Sequence, residues 1–240
     1  MAKPVPPREV RRNKRAQLAM DEEYQKLRRN FTWDESRMRP WAQVAAEARR
    51  NNLTAHVGMV FGICVVKDSE LAENLRKYKG RYVYQGSNVR DENNDWAVFQ
   101  DVGSTPATIN AGRICDAYGL MKGHTVQQSD AQQAYTQAPF RGEPTWVRLP
   151  REYWPPGWEG VNDPVCPLVK ALYGHPDSGG YWELHCETLL EEAGFQSLRR
   201  VNWPSCFWHP RLKLLLTVYV DDFKLSGPEE NMAEGWSQWG

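Results

Sequence analysis

The sequence of 240 residues has no long apolar run: its longest wholly apolar stretch, Val57 to Val66, counts 10 residues with glycines included. A membrane-spanning helix needs about 20, so no span is predicted. The opening residues, Met1 to Arg15, lack the apolar segment of an export signal and carry Pro4, Pro6 and Pro7, which points to an intracellular protein, cytoplasmic or nuclear. Cysteine is scarce and odd in number, with Cys64, Cys115, Cys166, Cys186 and Cys206 widely separated. Such spacing does not make a disulfide framework, and reduced thiols are expected. No internal repeat or low-complexity tract is present.

Net charge is also absent, since 30 basic residues balance 30 acidic ones. The balance hides an asymmetry: residues 1–100 hold 19 Lys and Arg against 13 Asp and Glu, and residues 101–240 hold 11 against 17. A basic half beside an acidic half suits a polyanion on one side and cations on the other, although an uneven solvated surface would look the same. What is abundant is apolar and aromatic: 41% hydrophobic residues, 12% aromatic, 11 of them Trp. That composition excludes a disordered tail or a coiled-coil rod and predicts a globular chain.

Residues 1–15 read as a flexible basic arm, a phosphate-binding or import segment on one reading and a solubilising tail on the other, because their prolines argue against helix. Helical spacing of Leu18, Met20, Tyr24 and Leu27 predicts an amphipathic helix over 16–30, and a second is predicted from Trp41 to Asn51. His56 to Val66, Arg81 to Tyr84 and Val126 to Asp130 read as strands. Ser104-Thr105-Pro106 reads as a helix start, with the helix closing at Gly119. Ser178 reads as the cap of a helix carrying Trp182 and Leu190 and ending at Gly194.

Two apolar runs, Leu212 to Val220 and Phe223 to Gly227, flank Asp221 and Asp222, which predicts a β-hairpin with an acidic tip. Aspartate disfavours strand interiors, so the pair belongs where the sheet meets water or a cation. A third carboxylate nearby would need a bound cation to be tolerated, and Mg²⁺ is the hard ion that carboxylate oxygens suit. Ordinary turn chemistry is the competing reading of an isolated Asp-Asp pair.

Tyr219-Val220-Asp221-Asp222 and its apolar lead-in resemble the metal-binding hairpin of copia-type retrotransposon reverse transcriptases. Asp130-Ala131-Gln132-Gln133-Ala134-Tyr135 resembles the first catalytic motif of that family, and Lys170-Ala171-Leu172-Tyr173-Gly174 resembles another of its segments. Trp182, Gly194-Phe195 and Pro204 to Trp208 also fall in the family's order, and Lys79-Gly80-Arg81-Tyr82-Val83 is similar to its basic fingers strand. The resemblance implies an α+β fold: a right-hand polymerase palm over 106–240, ferredoxin-like with an antiparallel sheet and packed helices, and a fingers-like region over 16–105. The thumb, ribonuclease H and other segments of the polyprotein are expected to be absent.

By the same resemblance the function is RNA-directed DNA synthesis, with Asp130, Asp221 and Asp222 holding two Mg²⁺, or Mn²⁺ as a substitute, for transfer to a primer 3′-hydroxyl. Tyr135 would lie beneath the incoming sugar, and Lys79 and Arg81 would grip the triphosphate. The implied partners are an RNA template, a DNA primer and deoxynucleoside triphosphates, with no membrane. Gln132, Gln133 and Asp177-Ser178-Gly179-Gly180 depart from the family's usual residues.

A non-catalytic nucleic-acid-binding remnant is the rival from another class. A zinc module of His185, Cys186, Cys206 and His209 is disfavoured because the first two are adjacent on a predicted helix, about 100° apart. Glycoside hydrolysis is disfavoured because adjacent acids on a strand point to opposite faces and cannot flank a bond.

Overall fold

The structure is a computed structural model and describes residues 2–100 and 102–238. In chain order its elements begin with β1 (Lys3–Val5), α1 (Pro7–Val10), α2 (Lys14–Arg29), β2 (Arg39–Pro40), α3 (Trp41–Asn51), β3 (His56–Lys67) and β4 (Lys77–Tyr84). Next come α4 (Ile109–Gly119), β5 (His124–Asp130), α5 (Ala134–Gln137), β6 (Thr145–Arg148), β7 (Pro164–Pro167) and α6 (Ser178–Glu192). The last are β8 (Gln196–Ser197), β9 (Cys206–His209), β10 (Leu214–Tyr219), β11 (Asp222–Pro228) and α7 (Met232–Ser237). The chain forms two compact units, Met1–Gln100 with Phe140–Ser178, and Asp101–Pro139 with Gly179–Gly240. Residues 140–178 return to the first unit, a long-range association that a linear reading does not reveal.

In the first unit, β3 is flanked by β4 on one side and by β1 and β6 on the other, with β7 and β2 beyond β6. The pairings are antiparallel except β3 with β6. Helix α2 buries Ala16, Met20, Tyr24 and Leu27, the stripe predicted from its spacing. Its backbone runs so close to β4 that a Cβ on Gly80 would lie 2.5 Å from the Ala19 carbonyl oxygen. Residues 3–10 are not the unstructured arm expected from their prolines. Lys3 to Val5 pair with Val66 to Cys64, and Pro7 opens α1 at the position where its missing N–H costs no helical bond.

The second unit is built on a five-stranded sheet in the order β5-β11-β10-β9-β8, antiparallel throughout. Helix α4 covers one face: Cys115 donates to the Ser226 hydroxyl at 3.1 Å, and Ala111 packs with Cys206. The alternate residues face the other way, where Phe223 meets Trp182 of α6 and Leu225 lies near Gly235 of α7.

Helix α4 begins at Ile109 with Thr108 as its cap, the hydroxyl accepting from Ala111 N–H at 3.2 Å, three residues beyond Pro106, the expected first helical residue. Residues 104–107 are in neither helix nor strand, and their polar groups have distant partners. Thr105 N–H donates to Glu183 at 2.5 Å, its carbonyl accepts from Ser205, and Ala107 N–H donates to Val218. Ser178 opens α6, but its hydroxyl accepts from Leu172 N–H at 3.0 Å. The five cysteines are buried and unpaired as disulfides. No helix among the described residues is long and apolar enough to cross a membrane.

Candidate active site

The predicted hairpin is β10 and β11. Leu214 to Val218 are buried and Tyr219 is exposed, so the strand emerges into solvent one residue before its turn. Tyr219 pairs with Asp222, which leaves Val220 and Asp221 as a two-residue loop. Only Val220 has positive φ, at 58°, the pattern of a II′ turn in which the first loop residue is usually glycine. A β-branched residue in that region is strained.

The next strand over carries the third acid. In the antiparallel pairing of β11 with β5, Asp222 stands opposite Asp130, so the two carboxylates rise from one face with Cβ atoms about 5 Å apart. Like charges in that relation repel, and both residues are exposed to water. Asp221 lies in the loop, and its backbone carbonyl accepts from Ala131 N–H at 2.7 Å, which ties the turn to the residue after Asp130. Tyr135, half-buried on α5, has its hydroxyl pushed above the usual tyrosine range by burial and then by the charge of Asp221. The structure thus brings Asp130, Asp221, Asp222 and Tyr135 to one end of the sheet.

A cavity of about 650 Å³ opens beside the pair, lined among others by Asp130, Asp222, Tyr219, Arg113 and Lys224. Lys224 is two residues from Asp222 on the same face, and its ammonium is paired with Asp116 of α4 at 2.9 Å. These cations were not singled out from sequence, although the period of two along β11 places Lys224 on the face of Asp222. Lys79 and Arg81 lie on β4 of the other unit, exposed and alternating with the buried Gly80 and Tyr82.

The donor set consists of hard carboxylate oxygens, the kind that Mg²⁺ and Mn²⁺ take. The acids stand as a cross-strand pair with a neighbour. Among the described residues no three His, Cys, Asp or Glu side chains are gathered so as to hold a metal ion. The zinc alternative has no support: burial raises the Cys186 thiol to about 12 and Cys206 to about 11, and His209 instead accepts from Leu212 N–H at Nδ1.

A family model described as reverse transcriptase (RNA-dependent DNA polymerase) matches residues 60–238. The chain is 29% identical over 159 residues to a retrovirus-related Pol polyprotein from transposon RE2 of Arabidopsis thaliana, covering 64% of this chain and 10% of that protein. It is 29% identical over 164 residues to the corresponding polyprotein from transposon RE1 of the same plant, covering 66% and 10%. A truncated transposon Ty1-A Gag-Pol polyprotein of Saccharomyces cerevisiae is 26% identical over 157 residues, covering 64% and 12%. The chain therefore spans about a tenth of the length of these relatives.

Proposed function

Because the chain belongs to the reverse transcriptase (RNA-dependent DNA polymerase) family, we propose that its second unit is a polymerase palm and its first unit the fingers, together catalysing RNA-directed DNA synthesis of the copia type. The observation that carries this reading is the register that sets Asp222 opposite Asp130, with Asp221 one residue away in the turn. Asp130, Asp221 and Asp222 would hold two divalent ions, Mg²⁺ or its substitute Mn²⁺. When bound, such ions neutralise a triphosphate and lower the pKa of the attacking hydroxyl.

The chain's own groups would do the rest. Opposed carboxylates on adjacent strands, with Asp221 in the turn beside them, would set where the primer 3′-hydroxyl and the nucleotide lie. The half-buried ring of Tyr135 beside Asp221 would lie under the incoming sugar, where a 2′-hydroxyl would collide with it. Lys79 and Arg81 would contact phosphates from β4, since cationic donors stabilise phosphoryl charge. The template is an RNA strand paired with a DNA primer, and base pairing rather than the protein reads its sequence.

Primer extension on an RNA template with deoxynucleotides and Mg²⁺ tests the reading, with Asp221→Asn as control. Extension by the native chain that is lost in the variant supports the polymerase. Binding of the template–primer with no extension by the native chain would leave the non-catalytic remnant as the function.

A further inference from the structure

We propose that Trp182 is a positioning residue for the Asp221–Asp222 doublet, acting through a hydrogen bond to the strained Val220 rather than through any contact with substrate. Its indole N–H donates to the Val220 carbonyl at 2.6 Å. Val220 is the loop residue held at φ 58°. In a two-residue hairpin the peptide following that residue has no partner inside the turn, so its orientation is set only by what lies outside. Here that outside partner, among the described residues, is the Trp182 indole N–H.

The second loop peptide is fixed independently. The Asp221 carbonyl accepts from Ala131 N–H, so one peptide is tied to α6 and the next to the segment that carries Asp130. Trp182 also reaches past the doublet, since its ring meets Phe223 edge-on, with centroids 6.4 Å apart at 83°. The same side chain therefore touches the residues on both sides of Asp221 and Asp222. Trp182 is 4% exposed, so the donor is held within the fold, while Val220 is partly buried.

The start of α6 sets the reach of the indole. A Cβ on Gly180 would lie 2.4 Å from the Val102 carbonyl oxygen, and one on Gly179 3.0 Å from the Ser104 hydroxyl. The glycines at this departure from the family's usual residues let residues 102–104 pass tightly over the helix two residues before Trp182. Strain at Val220 persists only because its surroundings over-determine it, and Trp182 supplies the side-chain part of that determination.

The inference rests on the polymerase reading for its consequence and not for its structural core, and the test separates the two. Trp182→Phe keeps an aromatic side chain, smaller than the indole, and removes the N–H. Amide exchange across 219–222 is expected to speed up more than 10-fold in the variant, Mn²⁺ affinity measured by electron paramagnetic resonance to fall about 5- to 10-fold, and kcat to fall while KM for the nucleotide holds. Since glycine adopts positive φ freely, the exchange effect of Trp182→Phe should shrink in a Val220→Gly background. Exchange at 219–222 unchanged by Trp182→Phe would overturn the proposal, as would equal effects in the two backgrounds. If the native chain neither extends a primer nor binds Mn²⁺, the polymerase reading fails, and exchange alone decides whether Trp182 holds the turn. Should Trp182→Phe not fold, the native ¹⁵N-indole resonance decides: a shifted signal protected from solvent upholds the bond, and a freely exchanging one removes it.

Discussion

The residues with most at stake are the two facing acids. Asp130 and Asp222 sit where a structural protein would place a neutral or opposite-charge pair, since like charges directly opposite on a sheet cost stability. Asp222→Asn removes that repulsion without changing shape. Its unfolding free energy should rise by about 0.2–1 kcal/mol, seen as a higher urea midpoint, while primer extension is lost. A fall in the midpoint would mean that the pair does not repel in the native chain. A second prediction concerns His175, which lies among Tyr84, Phe99 and Phe140 and whose imidazole burial pushes down to about 4. The unfolded state then binds the extra proton between pH 6.5 and 4, so stability is present above about pH 6.5 and is lost as pH falls towards 4. The loss is on the order of 3 kcal/mol, and His56, lowered in the same direction, adds to it. Urea midpoints measured across this range should fall steadily, and His175→Gln should flatten most of the slope.

At the scale of elements, α4 offers a matched pair of glycines. A Cβ on Gly112 meets nothing within 4 Å, whereas one on Gly119 would lie 2.0 Å from Val126 Cγ2 and 3.0 Å from the Thr125 carbonyl oxygen. Gly112→Ala should therefore stabilise by about 0.5–1 kcal/mol through helix propensity, and Gly119→Ala should cost about 1–3 kcal/mol by overpacking against β5. Equal shifts in the urea midpoint would contradict that packing. Gly119 also shows what sequence legibility consists of. It was expected as a helix stop and is the last residue of α4, but Leu120 after it is right-handed, so what requires glycine there is close approach to a strand and not a left-handed cap. Elements with local determinants were legible: α3 spans the predicted Trp41–Asn51, and the hairpin follows from two apolar runs around a doublet. The start of α4 was not, because Glu183 and Val218, which bind 104–107 outside the helix, are 78 and about 110 positions away. Asp130 and the doublet were matched through resemblance, and no local pattern states that β5 pairs with β11. The Trp182 bond to Val220 was invisible for the same reason.

For the whole molecule, neutrality conceals two opposite units. The first, Met1–Gln100 with Phe140–Ser178, carries 23 Lys and Arg against 18 Asp and Glu, and the second carries 7 against 12. The first is therefore +5 and the second, which bears the acids, −5, nearly the +6 and −6 of residues 1–100 and 101–240, because 140–178 holds four basic and five acidic residues. On the polymerase reading, attraction to a polyanion would reside on the first unit, and the acidic unit would approach a phosphate backbone favourably only when cations accompany it. Exposed Lys79 and Arg81 on β4 are the named test of this division. If each meets one phosphate, replacing both by Ala should weaken template–primer binding uniformly across sequences and reduce the slope of log K against log salt by about 1–2. The slope, more than the affinity, is the decisive quantity, because a variant that merely loses folded protein lowers the active fraction without changing the ions released per complex. An unchanged slope would remove Lys79 and Arg81 from the phosphate path. A reduced slope accompanied by full Mn²⁺ affinity would locate phosphate attraction on the first unit and cation holding on the second.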